Sequence, residues 1–430
     1  MGDQSLQVSA MAPVRSEIGK RIRNEVSALV PLIRKNALEG EKLGRVPDET
    51  VQALQKTGLF LVSVPIEHGG YALGARDLAE IIMEVARGDG GTGWITMIAS
   101  GHTRIALTLP DRAVAEIYRN AAHWPGPTLA GGSLFSEKIQ PAEEVEGGIL
   151  VRAGCRWMFA SGSAHAGFAA VGVDLQHEDG ERRRGMVLLE RGQYEILDDW
   201  HVMGMRASSS NGLTVTQDVF VPDYRFLDMS EFPNRLASFR SRFAGLGYKS
   251  DPLGLMMVVA LEMISIAVGM AKAGLESFIE QAKIRKPFNL PYATIAESAV
   301  TQTSAAKAAA KIRAAETMVL KIADKIDCYA LTGQSFTPLE ESEGIMDLVF
   351  GGNLAGEALD MLQYALGSSS IGDFNPIQRY VRDIRVALTH GSLRYEPVAE
   401  INGRQMLGFP PFQSFAGGLP GVTSKVTAEN

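Results

Sequence analysis

The side chains of this sequence that could do chemistry are spread out rather than gathered in a compact motif. The seven histidines are scattered, with no H-E-x-x-H spacing, and the two cysteines, Cys155 and Cys328, stand far apart with no C-x-x-C pair. Neither a metal site nor a disulfide framework is expected, and two reduced, buried thiols are. No G-x-G-x-x-G follows a strand and opens a helix, so no nicotinamide site is visible. Gly245-Leu-Gly-Tyr-Lys-Ser250 lacks the Gly-Lys pair of a phosphate loop, and there is no G-x-S-x-G elbow. This leaves room for a cofactor held by the fold itself. Trp157 offers a flat apolar face to a planar ring, and small Ser161 and Gly162 let backbone N–H groups approach it. Ser208, Ser209 and Ser210 supply hydroxyls, Arg285 a charge-assisted bond to a phosphate, and Phe288 a cover over it. The competing readings are a core aromatic for Trp157 and a solvated helix end for Arg285.

The elements that must position these residues follow from pattern. The chain has 430 residues, is 46% hydrophobic and carries a net charge of −7, which allows two or three packed domains and argues against nucleic acid and anionic membranes as partners. Leu253–Met270 comes closest to membrane-spanning length, but Glu262 interrupts it. The polar N-terminus does not read as a signal peptide, so a cytoplasmic location is expected. Ile18, Ile22, Val26, Leu29 and Ile33 recur as one buried helical face. Helical pattern continues through residues 76–88 and 94–108 and changes at His123-Trp-Pro-Gly-Pro127. Short β-rich runs follow at 149–151, 168–173, 186–189 and 215–221. Helical pattern returns over 252–285, 293–331, 338–366 and 376–389. The expected fold class is α+β, mostly α. Its parts are an N-terminal helical domain (1–124), a middle β domain (125–228), a C-terminal four-helix bundle (229–410) and an extended tail (411–430).

Four stretches, in order, resemble the acyl-CoA dehydrogenase-like flavoproteins. Arg156-Trp-Met-Phe-Ala-Ser-Gly162 is similar to the family's W-x-x-x-S-G strand, and Trp200-His-Val-Met-Gly-Met-Arg-Ala-Ser-Ser-Ser210 with Val219-Phe-Val-Pro222 to its next strand and exit. Ala282-Lys-Ile-Arg-Lys-Pro-Phe288 resembles R-x-x-F, and Gly367 to Arg382 resembles the C-terminal glycine-rich turn and R-x-x-R-D helix. The resemblance implies the acyl-CoA dehydrogenase fold, a flavin, and a homotetramer with flavin at subunit contacts. It assigns flavin binding to Trp157, Ser161, Gly162, Ser208, Ser209, Ser210, Arg285, Phe288, Gly367, Ser368 and Ser369.

A dehydrogenase of this fold needs a carboxylate base, and the position where many members carry glutamate is Gly372, beside Asp373. Other features resemble the oxygenase branch, which includes the oxygenase component of p-hydroxyphenylacetate hydroxylase. They are Gly93-Trp94 followed by His102, Ser161-Gly-Ser-Ala-His165, and Arg382-Asp-Ile-Arg-Val-Ala-Leu-Thr-His390. The resemblance implies a two-component monooxygenase taking FMNH2 or FADH2 from a separate NAD(P)H-flavin reductase. With O2 the flavin forms a C4a-hydroperoxide that hydroxylates a phenol, an indole or another small aromatic. His390 and His102 become the catalytic candidates, with Ser161 at flavin N5. A capping histidine and a buried structural histidine are the competing readings for the two. Ser133, Phe135 and His165 become substrate-binding candidates, and Met158, Phe159 and Phe409-Pro-Pro-Phe412 could line or lid the pocket. Alternatives are N- or S-oxygenation, acyl-CoA dehydrogenation and a non-catalytic flavin scaffold.

Overall fold

The computed structural model describes residues 13–132, 134, 140–176 and 182–409. Ser133 and Phe135, Pro410 to Phe412 and the tail from 411 lie outside the described residues.

The helices begin and end where local chemistry dictates. α1 (Glu17–Leu43) is capped by Ser16, whose side chain accepts from the Gly19 N–H, and stops at Gly44 in the left-handed region (φ 65°). Ile22, Val26, Val30 and Ile33 form its buried stripe, while Ile18 is exposed. α2 (Asp48–Lys56), α3 (Ala75–Gly88), α4 (Gly90–Ala106) and α5 (Asp111–Tyr118) complete the N-terminal helices. The α3 N-terminus is capped from a distance: Asp327 accepts from the N–H groups of Ala75 and Arg76 at 2.8 and 2.9 Å. Asp89 separates α3 from α4 and caps the latter through the Thr92 N–H.

Strands β1 (Leu129–Gly132), β2 (Gln140–Val145), β3 (Gly148–Val151), β5 (Phe168–Gln176), β6 (Arg182–Glu190), β9 (Val219–Pro222) and β10 (Phe226–Asp228) make one sheet. Its order is β10-β6-β5-β2-β3-β9, with β1 also parallel to β5, Leu129 opposite Phe168. β4 (Arg156–Trp157), β7 (Glu195–Ile196) and β8 (Leu213–Thr214) form a small second sheet that pairs Trp157 with Leu213. The run expected over 215–221 is broken by a turn, because Asp218 folds back to accept from the Ala153 N–H.

Two short helices, α6 (Phe232–Ala237) and α7 (Phe239–Arg242), lead to α8 (Pro252–Ile284), α9 (Ala299–Thr332), α10 (Pro338–Leu366), α11 (Pro376–Leu388) and α12 (Tyr395–Met406). α8 is the axis of the molecule, packing on α3, α4, α9, α10 and α11. It is long and apolar enough to cross a membrane, yet 83% of its most apolar window is buried inside the protein. Phe232, Phe239 and Tyr248 pack with Leu107, Leu129 and Met186, joining the segment after β10 to the helical and β parts.

Candidate active site

α4 and α8 run antiparallel, and small residues on α4 let them approach. On the α8 side a Cβ on Gly90 would meet Met270, one on Gly93 would meet Ile266 as well as Ala86 of α3, and Gly101 lies beside Glu262. Between this pair and the β domain is a cavity of about 570 Å³. Trp94, Met97, Ile98, Gly101 and Ile105 line one wall at helical spacing; Met256, Val259 and Met263 of α8 line another. The volume falls within the usual range for small-molecule sites, about 300–1,000 Å³.

Three hydroxyls meet at one end. Ser161 Oγ lies 2.6 Å from Ser210 Oγ, which lies 2.7 Å from Ser208 Oγ, and Trp94 Nε1 donates to Ser161 at 3.1 Å. Met205 and Ser209 hold left-handed φ values of 56° and 47°, which fold this loop tightly enough to place Ser208 and Ser210 at the cavity. α11 fixes the loop: Asp383 accepts from the Met205 N–H at 2.6 Å, and Arg382 donates to Met203 O at 2.5 Å. Gly204 is required there, since a Cβ would sit 2.4 Å from Arg382 O.

His390 follows α11. Its ring lies 6.0 Å from that of Trp94, and Nδ1 is 2.7 Å from Ser392 Oγ. It is open toward the cavity, and the protein packed around its other sides lowers its pKa by desolvation. It also caps the turn Gly391–Leu393, so the capping and cavity-facing readings both hold. His102 lines the cavity from α4. Its Nδ1 donates to Leu129 O at 3.1 Å, leaving Nε2 as an acceptor near Gly131. Burial lowers its pKa to about 4, so it is neutral at pH 7.

Several expected site residues lie elsewhere. The Trp157 ring is 0% exposed in the β core, with Nε1 donating to Gly172 O at 2.8 Å, so it presents no face to a ring; the aromatic surfaces at the cavity belong to Phe159 and Trp200. Gly162 shapes the backbone, donating to Ser208 O at φ 75°. Ser209 turns away from the cavity toward the Ala164 N–H and Asn211, because its left-handed conformation directs it opposite to its neighbours. His165 does not line the cavity. It is buried near Arg45 and Asp48, its Nε2 has no partner, and desolvation brings its pKa to about 4. Arg285 donates to Leu366 O beside Gly367, Ser368 and Ser369, so these four meet, but at the far end of the bundle and off the cavity. Phe288 is 89% exposed there, so it covers little among the described residues. Met158 is half exposed beside the cavity without lining it.

The residue that sequence reasoning missed is Arg104. It lines the cavity, and the available signal was a lone cation on the apolar stripe of α4. No carboxylate lines the cavity among the described residues, and there is no cluster of potential metal ligands among them.

Models of the acyl-CoA dehydrogenase N-terminal and C-terminal domains match residues 17–109 and 262–395. The chain belongs to the acyl-CoA dehydrogenase family. Among its relatives, the oxygenase component of p-hydroxyphenylacetate 3-hydroxylase from Acinetobacter baumannii is 26% identical over 91% of this chain and 90% of that protein. The flavin-dependent monooxygenase oxygenase subunit HsaA of Mycobacterium tuberculosis is 28% identical over 93% of this chain and 99% of its own. The crystal structure of the M. tuberculosis HsaA monooxygenase superposes with a TM-score of 0.80 at 27% identity, covering 92% of this chain and 99% of that one. That of the 3-HSA hydroxylase from Rhodococcus sp. RHA1 gives 0.81 at 25% identity, with 92% and 98% coverage.

The group this family implies is a flavin, and the cavity suits one. It has a chain of buried hydroxyls for a ring's polar edge, aromatic surface at exposed Phe159 and half-buried Trp200, and an apolar remainder.

Proposed function

We propose that this protein is the oxygenase component of a two-component flavin-dependent monooxygenase. It would receive reduced FMN or FAD from a separate NAD(P)H-flavin reductase and hydroxylate a small aromatic or heteroaromatic substrate. The observation that carries this reading is the polar make-up of the cavity: His390 and the Ser161–Ser208–Ser210 cluster share one end, and no carboxylate among the described residues lines it to act as a dehydrogenase base. The names of the relatives support the same reading, including an FADH(2)-dependent resorcinol hydroxylase at 26% identity.

Bound reduced flavin supplies two electrons to O2, so that one oxygen atom enters a substrate C–H bond and the other leaves as water. The chain's own residues do the rest. Ser161, Ser208 and Ser210 would offer hydroxyls to the polar atoms of a flavin, and Phe159 and Trp200 would offer it apolar surface. Met97, Ile98, Val259 and Met263 keep water out. In the tautomer whose Nδ1–H donates to Ser392 Oγ, giving up the weak 3.4 Å cap from the Ser392 N–H, neutral His390 can accept the proton of a substrate hydroxyl at Nε2.

We further propose a homotetramer. Arg285 and Gly367 to Ser369 are separated from the cavity within one chain and would meet a flavin only in a neighbouring protomer.

The test of the function is isotopic. The protein, reduced FMN or FADH2 and a panel of phenols and indoles are mixed under 18O2. One labelled oxygen per hydroxylated product is expected. Flavin oxidation to H2O2 with no labelled product from any member, together with reduction of bound FAD by an acyl-CoA, would overturn it.

A further inference from the structure

Arg104 is the one charged side chain among the described residues lining the cavity. It is only 4% exposed. Its Nη1 reaches Glu262 Oε1 at 3.3 Å and Ser100 O at 3.5 Å, both longer than an ordinary charge-assisted bond, and its Nε has no partner. That Nε is shut off from the cavity, but the guanidinium lines the cavity wall and its other terminal nitrogen, Nη2, donates to no group among the described residues, so an N–H is left for an acceptor brought by a ligand.

Glu262 stands behind it on α8, wholly buried. Its Oε1 also accepts from Ser100 Oγ at 2.5 Å, and Ser100 in turn meets Ser63. Burial pushes the Glu262 pKa up, whereas Arg104 and Ser100, both donating to Oε1, favour the carboxylate. On balance burial wins and Glu262 titrates above an ordinary carboxylate; once ionised it cancels the Arg104 charge, and neutral His102 adds none. A ligand carboxylate would bring a second buried anion to one cation, at a steep desolvation cost. A carbonyl or hydroxyl oxygen would take the spare N–H without changing the charge.

Position matters as well. Trp94, beside His390, and Arg104 are ten residues apart on α4, which is about 15 Å along the helix. The polar group at Arg104 therefore serves the end of the substrate remote from the ring carbon held near His390. Resting on the monooxygenase reading, we propose that Arg104, backed by Glu262, selects a neutral aromatic substrate with a carbonyl or hydroxyl oxygen at its remote end and rejects carboxylates.

The test uses three phenols of matched shape: 4-(4-hydroxyphenyl)butan-2-one, 3-(4-hydroxyphenyl)propanoate and 4-butylphenol. Each is titrated calorimetrically into the full chain at pH 8, without flavin turnover. The ketone should bind about tenfold more tightly than 4-butylphenol, as one hydrogen bond to a charged donor allows, with the acid weakest. Glu262→Gln leaves the Arg104 charge uncompensated, so the propanoate should gain about tenfold or more while the ketone stays within about threefold. In the double variant R104M/E262Q the ketone should lose its advantage over 4-butylphenol. The inference is overturned if the native chain binds the acid as tightly as the ketone, if the double variant keeps the ketone preference, or if none of the three binds. Hydroxylation is assayed separately. Binding in the expected order without hydroxylation would sink the monooxygenase reading while supporting the selectivity of the cavity.

Discussion

The role proposed for His390 rests on its position at the end of α11 and on its protonation state. Desolvation lowers its pKa, so the neutral base predominates at and above pH 7 and is lost only on acidification. Replacement by alanine should cut hydroxylated product by about 10²-fold or more, the usual range for a general base, while O2 still oxidises the flavin. Chromatography of the product against total O2 consumption separates the two, and the native rate should fall on an acid limb below the ordinary histidine range and stay level above it. Product formation unchanged in His390→Ala would leave the residue as a helix-end cap only. Of the catalytic candidates read from the sequence, His390, His102 and Ser161 do line the cavity, because the helix ends and the turn that carry them face it. The sequence misplaced Trp157 and His165 because a short motif says which residues are near a site without saying which way each side chain points. Trp157 pairs with Leu213 so that its ring enters the β core, and Gly172 O satisfies its N–H there. Arg104 escaped notice because its meaning depends on Glu262, a residue 158 positions away in the chain.

Elements bring these residues together, and their ends also form a surface. Arg285 ties the end of α8 to Leu366 at the end of α10, and Asn375 ties α11 to Gln281 of α8 at 2.8 Å. Around these ties Ile284, Phe288, Tyr364, Ile371 and Phe374 are all strongly exposed, Tyr364 at 91%. Large apolar side chains crowded on one end of a bundle mark a contact surface. The proposed homotetramer gives that surface an occupant, and sedimentation velocity should report four times the 46.3 kDa chain mass. Phe288→Glu with Tyr364→Glu should shift the protein to smaller species without altering its helical circular dichroism. A monomer in the unmodified protein at micromolar concentration would end the proposal. The long helices were legible because α1, α8, α9 and α10 carry caps and apolar stripes over many turns. The 215–221 run misled because a β-rich composition does not reveal Asp218 folding back onto Ala153. The clamp of Asp383 on the Met205 amide was likewise invisible, being made between residues 178 positions apart.

At the scale of the whole molecule, buried ionisable groups of opposite type set the response to acid. His165 has a folded pKa of about 4, below its ordinary value of 6.5. The stability it contributes is complete above pH 6.5 and is lost as pH falls toward 4, because the unfolded chain takes up the proton first. Asp327, capping α3, is raised by burial from 3.8 to about 7. Its linkage has the reverse sign: the contribution is complete below 3.8 and is lost as pH rises through 7, so acidification from neutrality strengthens the fold. Between pH 7 and 5 each amounts to about 2 kcal/mol, and the two oppose each other, as do buried His102, lowered to about 4, and Asp383, raised to about 7. The native protein should therefore change its urea midpoint little across that interval, an outcome that looks like the absence of any titrating group. Single variants expose the cancellation. His165→Gln removes the acid-sensitive partner, so its midpoint should rise at pH 5 relative to pH 7.5. Asp327→Asn removes the compensating one, so its midpoint should fall over the same interval, beyond any constant loss from the weakened α3 cap. Parallel pH profiles for all three proteins would show that neither group titrates as its burial dictates.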